Sequence, residues 1–271
     1  MLRHEGESLA RVVVCTPRHE YFRVDNFDKH NIGELGSPEI AIRQHDMLKS
    51  GMRAFGAEVI DVPELVDHPN SVFTRDTALC TPQGFIKLRL GLTTRQGEGE
   101  WMAQCLDGLG EACVGEIHAP GTVEGGDVVL AGKVAFIGRS NRTNDEGIRQ
   151  LSIFLNSMGY EIRVIPLPPS ILHLDKVLMV LGPQRLISCR EFVSEETLKG
   201  FDATEISSCG RETTANIICL GKNELIVNSS NRLVIERLQA DNFIVHVLDL
   251  NEFAKGMGGP NCLIMPLERA D

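Results

Sequence analysis

Short runs of β-branched and aliphatic residues alternate with longer stretches of helical period along the whole chain. In "ARVVVCTP" followed by "SPEIAIRQHDMLKSGMRAFGAEVIDV", the pattern predicts strand, helix, strand. Ser37 is placed to cap the helix, Pro38 fits its first turn, and Ile40, Ile42, Met47, Met52 and Phe55 supply an apolar stripe. The unit returns as "VVLAGKVAFIG" with "TNDEGIRQLSIFLNSMGYEIRVIPL", where Thr143 precedes an acidic first turn and Gly159 lies past the helix end. It returns again as "NIICLGKNELIVNSS" with "NRLVIERLQADNFIVHVLDL". Repeats of hairpin, helix and strand at about 50 residues suggest a closed pseudo-symmetric array in which each unit buries its face on its neighbours. No linker-like stretch interrupts it, so residues 1–271 are expected to form one α/β domain.

Composition narrows the function. Hydrophobic residues are 42% and charged residues 24%, the balance of a globular protein. A net charge of −10 argues against nucleic acid or an anionic membrane as partner. The opening "MLRHEGESLARVVV" carries His4 and Glu5 where a secretory signal needs an apolar stretch, and a cytoplasmic location is expected. Eight cysteines are scattered with no two at zinc-ligand spacing, so neither a metal nor a disulfide frame is implied. Most read as small core residues.

Polar residues at the ends of apolar runs carry the chemistry. Asp76 ends a strand-like run from Val72, and Glu124 precedes two glycines that permit close backbone approach. In "ILHLDKVLMV", an extended chain would turn His173 and Asp175 to one face and Leu172 and Leu174 to the other. Cys262 follows a rigid glycine-rich turn and precedes an apolar strand in "GGPNCLIMPL". Each alone is also explained by a turn, a cap or an ion pair. Together they point to a site.

"FTRD", "EGGD", "GRSNRTN", "LHLD" and "GGPNCLIMPL", in this order and at these separations, resemble the guanidino-group-modifying enzymes of the pentein superfamily: arginine deiminases, dimethylarginine dimethylaminohydrolases and amidinotransferases. The resemblance spans essentially the whole chain. It implies a five-bladed α/β propeller of ββαβ units around a polar channel. It also implies Cys262 as nucleophile, His173 as general acid and base, and Glu124 as the carboxylate paired with the histidine and a substrate nitrogen. Asp76 and Asp175 match the carboxylates that grip the guanidinium. Arg95 and Arg142 match the positions that bind the substrate α-carboxylate, with Arg139 a poorer choice, and the backbone at Met257 falls where the α-amino group binds.

The chemistry suits these roles. A guanidinium is planar, cationic and forked, so carboxylates around it accept its N–H groups and balance its charge. Its carbon is a poor electrophile, and attack requires a thiolate, favoured by the bound cation and by a protonated His173. A thiouronium on sulfur would follow, then water activated by the same histidine, giving a ureido product (citrulline from arginine) plus ammonia or an alkylamine. No cofactor is needed, and the partner is a small guanidino compound, with a homo-oligomer compatible.

The motifs are mixed. The length resembles the dimethylarginine hydrolases and lacks the helical insertion of the long deiminases, whereas Arg75 and Asp175 follow the deiminase pattern. Hydrolysis of arginine or an N-methylated arginine is the leading expectation. Amidino transfer to an amine, or hydrolysis of another guanidino acid, uses the same intermediate. A non-enzymatic relative is disfavoured by the joint presence of cysteine, histidine and carboxylates.

Overall fold

The computed structural model describes residues 2–207, 209–210 and 213–270. Five three-stranded sheets surround a common axis as the blades of an α/β propeller. The first blade holds β1 (Ser8–Cys15) and β2 (Glu58–Val62), linked by helix α1 (Pro38–Phe55). The second holds β3 (Ala78–Thr81), β4 (Gly84–Lys87) and β5 (Cys113–Glu116), with α2 (Glu98–Gly108) between the last two. The third holds β6 (Val128–Ala131), β7 (Val134–Arg139) and β8 (Glu161–Pro166), with α3 (Asp145–Ser157). The fourth, β9 (Leu178–Gly182), β10 (Arg185–Cys189) and β11 (Asp202–Ile206), crosses over through turns instead of a helix. The fifth holds β12 (Ile218–Gly221), β13 (Glu224–Asn228) and β14 (Ile244–Leu248), with α4 (Arg232–Ala240).

β15 (Met265–Ala270) runs antiparallel beside β1 and completes the first blade, so the two ends of the chain close the ring. In each blade an antiparallel pair is followed by a strand parallel to the second. A parallel neighbour cannot be reached by a tight turn, which is why a long crossover lies between these two strands. The leading strands β3, β6, β9 and β12 are buried at every residue, as expected of strands covered on both faces. The outer strands β2, β5, β8, β11 and β14 are largely half-exposed or exposed.

Three local features differ from what the sequence pattern predicts. The buried face of α1 is Ala41, His45, Leu48 and Met52, spaced four, three and four apart; Ile40 and Met47 are exposed. One residue of displacement turns a helical position by about 100°, enough to move Ile40 off the core. The cap of α3 is Asn144, whose Oδ1 accepts the Gly147 N–H at 2.8 Å, while the Thr143 hydroxyl accepts the Glu124 N–H at 3.1 Å. Finally, Val72–Asp76 is not a strand. Two single turns, Pro69–Val72 and Thr74–Asp76, occupy it, closed by Phe73 N–H to Asn70 O at 2.9 Å and Thr77 N–H to Thr74 O at 3.2 Å. Gly159 does follow the end of α3, with φ +87°. No helix among the described residues is long and apolar enough to cross a membrane.

Candidate active site

One short segment just ahead of each inner strand carries a polar residue to the axis. Thr74–Asp76 precedes β3, Glu124 with Gly125–Asp127 precedes β6, and His173 with Leu174–Lys176 precedes β9. Asn216 lies just before β12, and Asn261–Leu263, containing Cys262, lies before β15. Five-fold repetition of the blade thus converges five segments that are far apart in sequence. Two of them need missing side chains nearby. A Cβ at Gly126 would lie 2.7 Å from His173 Nδ1 and 2.9 Å from Asp76 Oδ1, and one at Gly259 would overlap the Asn216 side chain.

Cys262 is 4% exposed, and its sulfur is surrounded by polar groups. Asp175 Oδ2 lies 3.6 Å away and also accepts the Asn261 amide at 3.1 Å; Asp175 Oδ1 is buried without a hydrogen bond. Lys176 Nζ donates to the sulfur at 3.3 Å and Asn216 Nδ2 at 3.4 Å. Burial pushes the thiol up to about 11, Asp175 adds to this, and Lys176 opposes it. The expected alternation in "LHLD" holds only at His173, which is extended. Leu174–Lys176 then turns, so Lys176 reaches the sulfur beside Asp175.

His173 Nε2 is 2.7 Å from Glu124 Oε2, and its Nδ1 lies 3.8 Å from Asp76 Oδ1 with no hydrogen bond of its own. Burial disfavours the imidazolium, but Asp76 and Glu124 outweigh it and raise His173 to about 9. Asp76 is lowered to about 2 against its own burial by His173 and Arg95, and Glu124 is lowered by its bond to His173. Asp127 holds this segment in place: Oδ1 accepts the Leu174 N–H at 2.9 Å and Oδ2 the Ser140 hydroxyl at 2.6 Å.

Arg95 is 4% exposed and heavily engaged. Its Nη1 donates to Asp76 Oδ2 at 2.6 Å, Nε and Nη2 bind Glu98 Oε2 at 2.9 and 2.7 Å, and Nη2 also reaches the Asn70 and Phe73 carbonyls. Glu98 is completely buried, and burial raises it to about 7 despite Arg95. Arg142 differs: its Nη1 is buried, has no hydrogen bond, and stands 3.9 Å from Glu124 Oε1. Arg139 is exposed and pairs with Asp145 at 3.5 Å. Met257, at φ +66°, lines the same pocket as His30, Phe73, Asp76, Arg95, Glu124, Arg142, His173 and Cys262. Arg75, marked in the sequence by its motif, is a structural clamp, donating to Glu5 Oε1 at 2.6 Å and to Val128 O at 2.7 Å.

Asp76, Glu124 and His173 offer ligand atoms within 4.8 Å of one another, a spacing a cation could bridge. The His173–Glu124 hydrogen bond and the ion pair of His173 with Asp76 already account for that proximity. Lys176, Asn216, Glu98 and Asp127 were not singled out from sequence. Lys176 adjoins "LHLD", and Asn216 could have been found as the equivalent position ahead of the fifth inner strand.

Comparison with known proteins agrees with this geometry. A family model described as arginine deiminase matches residues 63–212. A dimethylarginine dimethylaminohydrolase of Pseudomonas aeruginosa is 32% identical over 232 residues, 84% of this chain and 90% of that one. The solved structure of the Pseudomonas aeruginosa dimethylarginine dimethylaminohydrolase with citrulline superposes with TM-score 0.82 at 27% identity, over 95% of this chain and 99% of the other. An amidinotransferase from Microseira wollei shares the fold at TM-score 0.80 and 18% identity, over 100% and 97%. Fold and site therefore define a guanidino-group-modifying enzyme of the pentein superfamily. Within that class, the chain belongs to the arginine deiminase family of amidinohydrolases.

Proposed function

We propose that the protein hydrolyses the guanidinium of arginine or an N-methylated arginine, with residues 1–271 acting as one catalytic domain. The observation that carries this reading is the Cys262 sulfur 3.6 Å from Asp175 Oδ2, with the buried Asp175 Oδ1 left without a partner. A guanidinium that gives N–H groups to Asp175 and Asp76 brings its carbon to the sulfur and supplies the charge that lowers the thiol. On binding, the Cys262 thiol loses its proton to solvent, and the thiolate attacks the guanidinium carbon to form the C–S bond. His173, a cation in the free enzyme, gives its proton to the departing nitrogen, and Glu124 keeps the imidazole oriented. The neutral imidazole then takes a proton from water, which attacks the thiouronium carbon; the C–S bond breaks and the ureido product leaves. Arg142, whose Nη1 makes no hydrogen bond, takes the α-carboxylate, Arg95 adds charge from behind Asp76, and the Met257 backbone receives the α-amino group.

The test measures ureido product, ammonia and alkylamine from arginine, its mono- and dimethylated forms and shorter guanidino acids, with and without an amine acceptor. Mass spectrometry of acid-quenched wild type turning over a slow guanidino substrate should show the amidino-derived adduct on the Cys262 peptide. Label on another cysteine would overturn the scheme. A new guanidino compound made only when the amine is present would replace hydrolysis by amidino transfer.

A further inference from the structure

The sulfur of Cys262 is approached from two sides. On one lies the pocket of His173, Glu124, Asp76 and Arg142. Neither Lys176 nor Asn216 lines that pocket, yet both donate to the sulfur, at 3.3 and 3.4 Å. Their positions are fixed by backbone and amide bonds. The Lys176 carbonyl accepts the Ala215 N–H at 2.8 Å and the Thr214 hydroxyl at 3.0 Å, which ties the turn ahead of β9 to the segment ahead of β12. Asn216 Oδ1 accepts the Asn261 N–H at 3.0 Å, leaving its Nδ2 to face the sulfur.

We propose that Lys176 is a catalytic residue, an ammonium that pairs with the Cys262 sulfur in its thiolate form both when it attacks and when it leaves. The inference rests on the hydrolase reading above. In the attack step the C–S bond forms with the sulfur lone pair and the C–N bond breaks as His173 delivers its proton. In the second step water oxygen bonds to carbon, and the C–S pair returns to sulfur opposite Lys176, which keeps its proton throughout. Among the described residues, Asp175 and, farther off, Asp76 oppose the thiolate, and Lys176 is the cation beside the sulfur that favours it in the absence of substrate. Burial alone would lower the Lys176 ammonium, but the sulfur and Asp175 hold it raised.

Lys176 also lines a second cavity behind the Gly258–Pro260 segment, with Thr214, Asn231 and Ser230. A small ammonium ion can therefore reach the place its own would vacate.

The experiment follows iodoacetamide alkylation of the Cys262 peptide against pH, by mass spectrometry and without substrate. It compares wild type, Lys176→Met, Lys176→Arg and Lys176→Ala with and without ethylammonium. Lys176→Met should raise the alkylation pKa by about one unit or more, slowing alkylation about tenfold at a fixed pH below it, with a parallel fall in kcat/KM. Lys176→Arg should stay near wild type, and ethylammonium should recover part of the loss in Lys176→Ala. An unchanged profile in both neutral variants, or an arginine variant shifted as far as methionine, overturns the proposal. A wild type that turns over no guanidino compound while the profile still follows Lys176 overturns the hydrolase reading and supports the pairing.

Discussion

Arg95 Nη1 lies 2.6 Å from Asp76 Oδ2, so a guanidinium of the protein already holds one of the carboxylates assigned to that of the substrate. Arg95 is the countercharge for Asp76 and Glu98 inside a buried cluster, whereas Arg142 makes no hydrogen bond at Nη1 and lies 3.9 Å from Glu124. The two arginines should then separate in their effects. Arg95→Gln strands two buried carboxylates and should cost about 3–5 kcal/mol of stability. Arg142→Gln, which breaks no hydrogen bond at Nη1, should cost less stability than Arg95→Gln but raise KM for arginine about tenfold or more, and hardly for agmatine, which has no carboxylate. Urea titration and steady-state kinetics check both; equal stability losses would refute the division of labour.

The pH dependence follows from the two reacting groups. His173 is raised to about 9 and the Cys262 thiol to about 11, so neutral free enzyme holds imidazolium and thiol. Attack needs imidazolium and thiolate. Below about 9 the thiolate fraction grows tenfold per pH unit while His173 stays protonated, between the two values gain and loss cancel, and above about 11 imidazolium is lost faster than thiolate is gained. kcat/KM should climb to about pH 9 and fall only beyond about 11. A profile already flat at pH 7 would show that the thiol is ionised in the free enzyme.

Cys262→Ser should reduce kcat by about a thousandfold or more with circular dichroism and melting temperature nearly unchanged, because an alkoxide is far harder to form than a thiolate. Turnover near the wild-type rate would remove Cys262 from the nucleophile role.

Selectivity tests Asp175. Each alkyl group on a terminal guanidinium nitrogen removes a donor and leaves a buried lone pair unsatisfied, at about 1–3 kcal/mol. Two donors are lost in Nω,Nω-dimethylarginine, so arginine should be preferred over it by about thirtyfold or more in kcat/KM. Asp175→Asn should lower activity on arginine more than on the dimethylated substrate. Equal losses, or a wild-type preference for dimethylarginine, would deny Asp175 this part.

Cys80 serves as the contrasting thiol. It lies on β3, just after the turn that carries Asp76, and packs with Phe85, Met102 and Leu267; burial pushes its thiol up to about 12. Cys80→Ala should cost about 1 kcal/mol in urea unfolding and leave kcat intact. A large loss of activity at unchanged stability would contradict a packing role.

Hydrophobic periodicity in the sequence determined the repeating unit of hairpin, helix and strand, because a period of two or of 3.6 residues is a local property of the chain. Five short motifs marked Asp76, Glu124, Arg142, His173, Asp175 and Cys262; all but Asp175 line one pocket, and Asp175 lies beside the Cys262 sulfur without lining it. Lys176 and Asn216 on the sulfur, and the enclosure of Arg95 by Asp76 and Glu98, were decided by the tertiary structure alone. The same is true of the α1 face, where Ala41 and His45 are buried and Ile40 is not. The physical reason is shared: a side chain's partner depends on which segments the ring brings to its axis. Cys262 and Lys176 stand 86 positions apart in the sequence. No local pattern records that the end of the chain returns to pair with β1 and sets the sulfur of Cys262 against the turn ahead of β9.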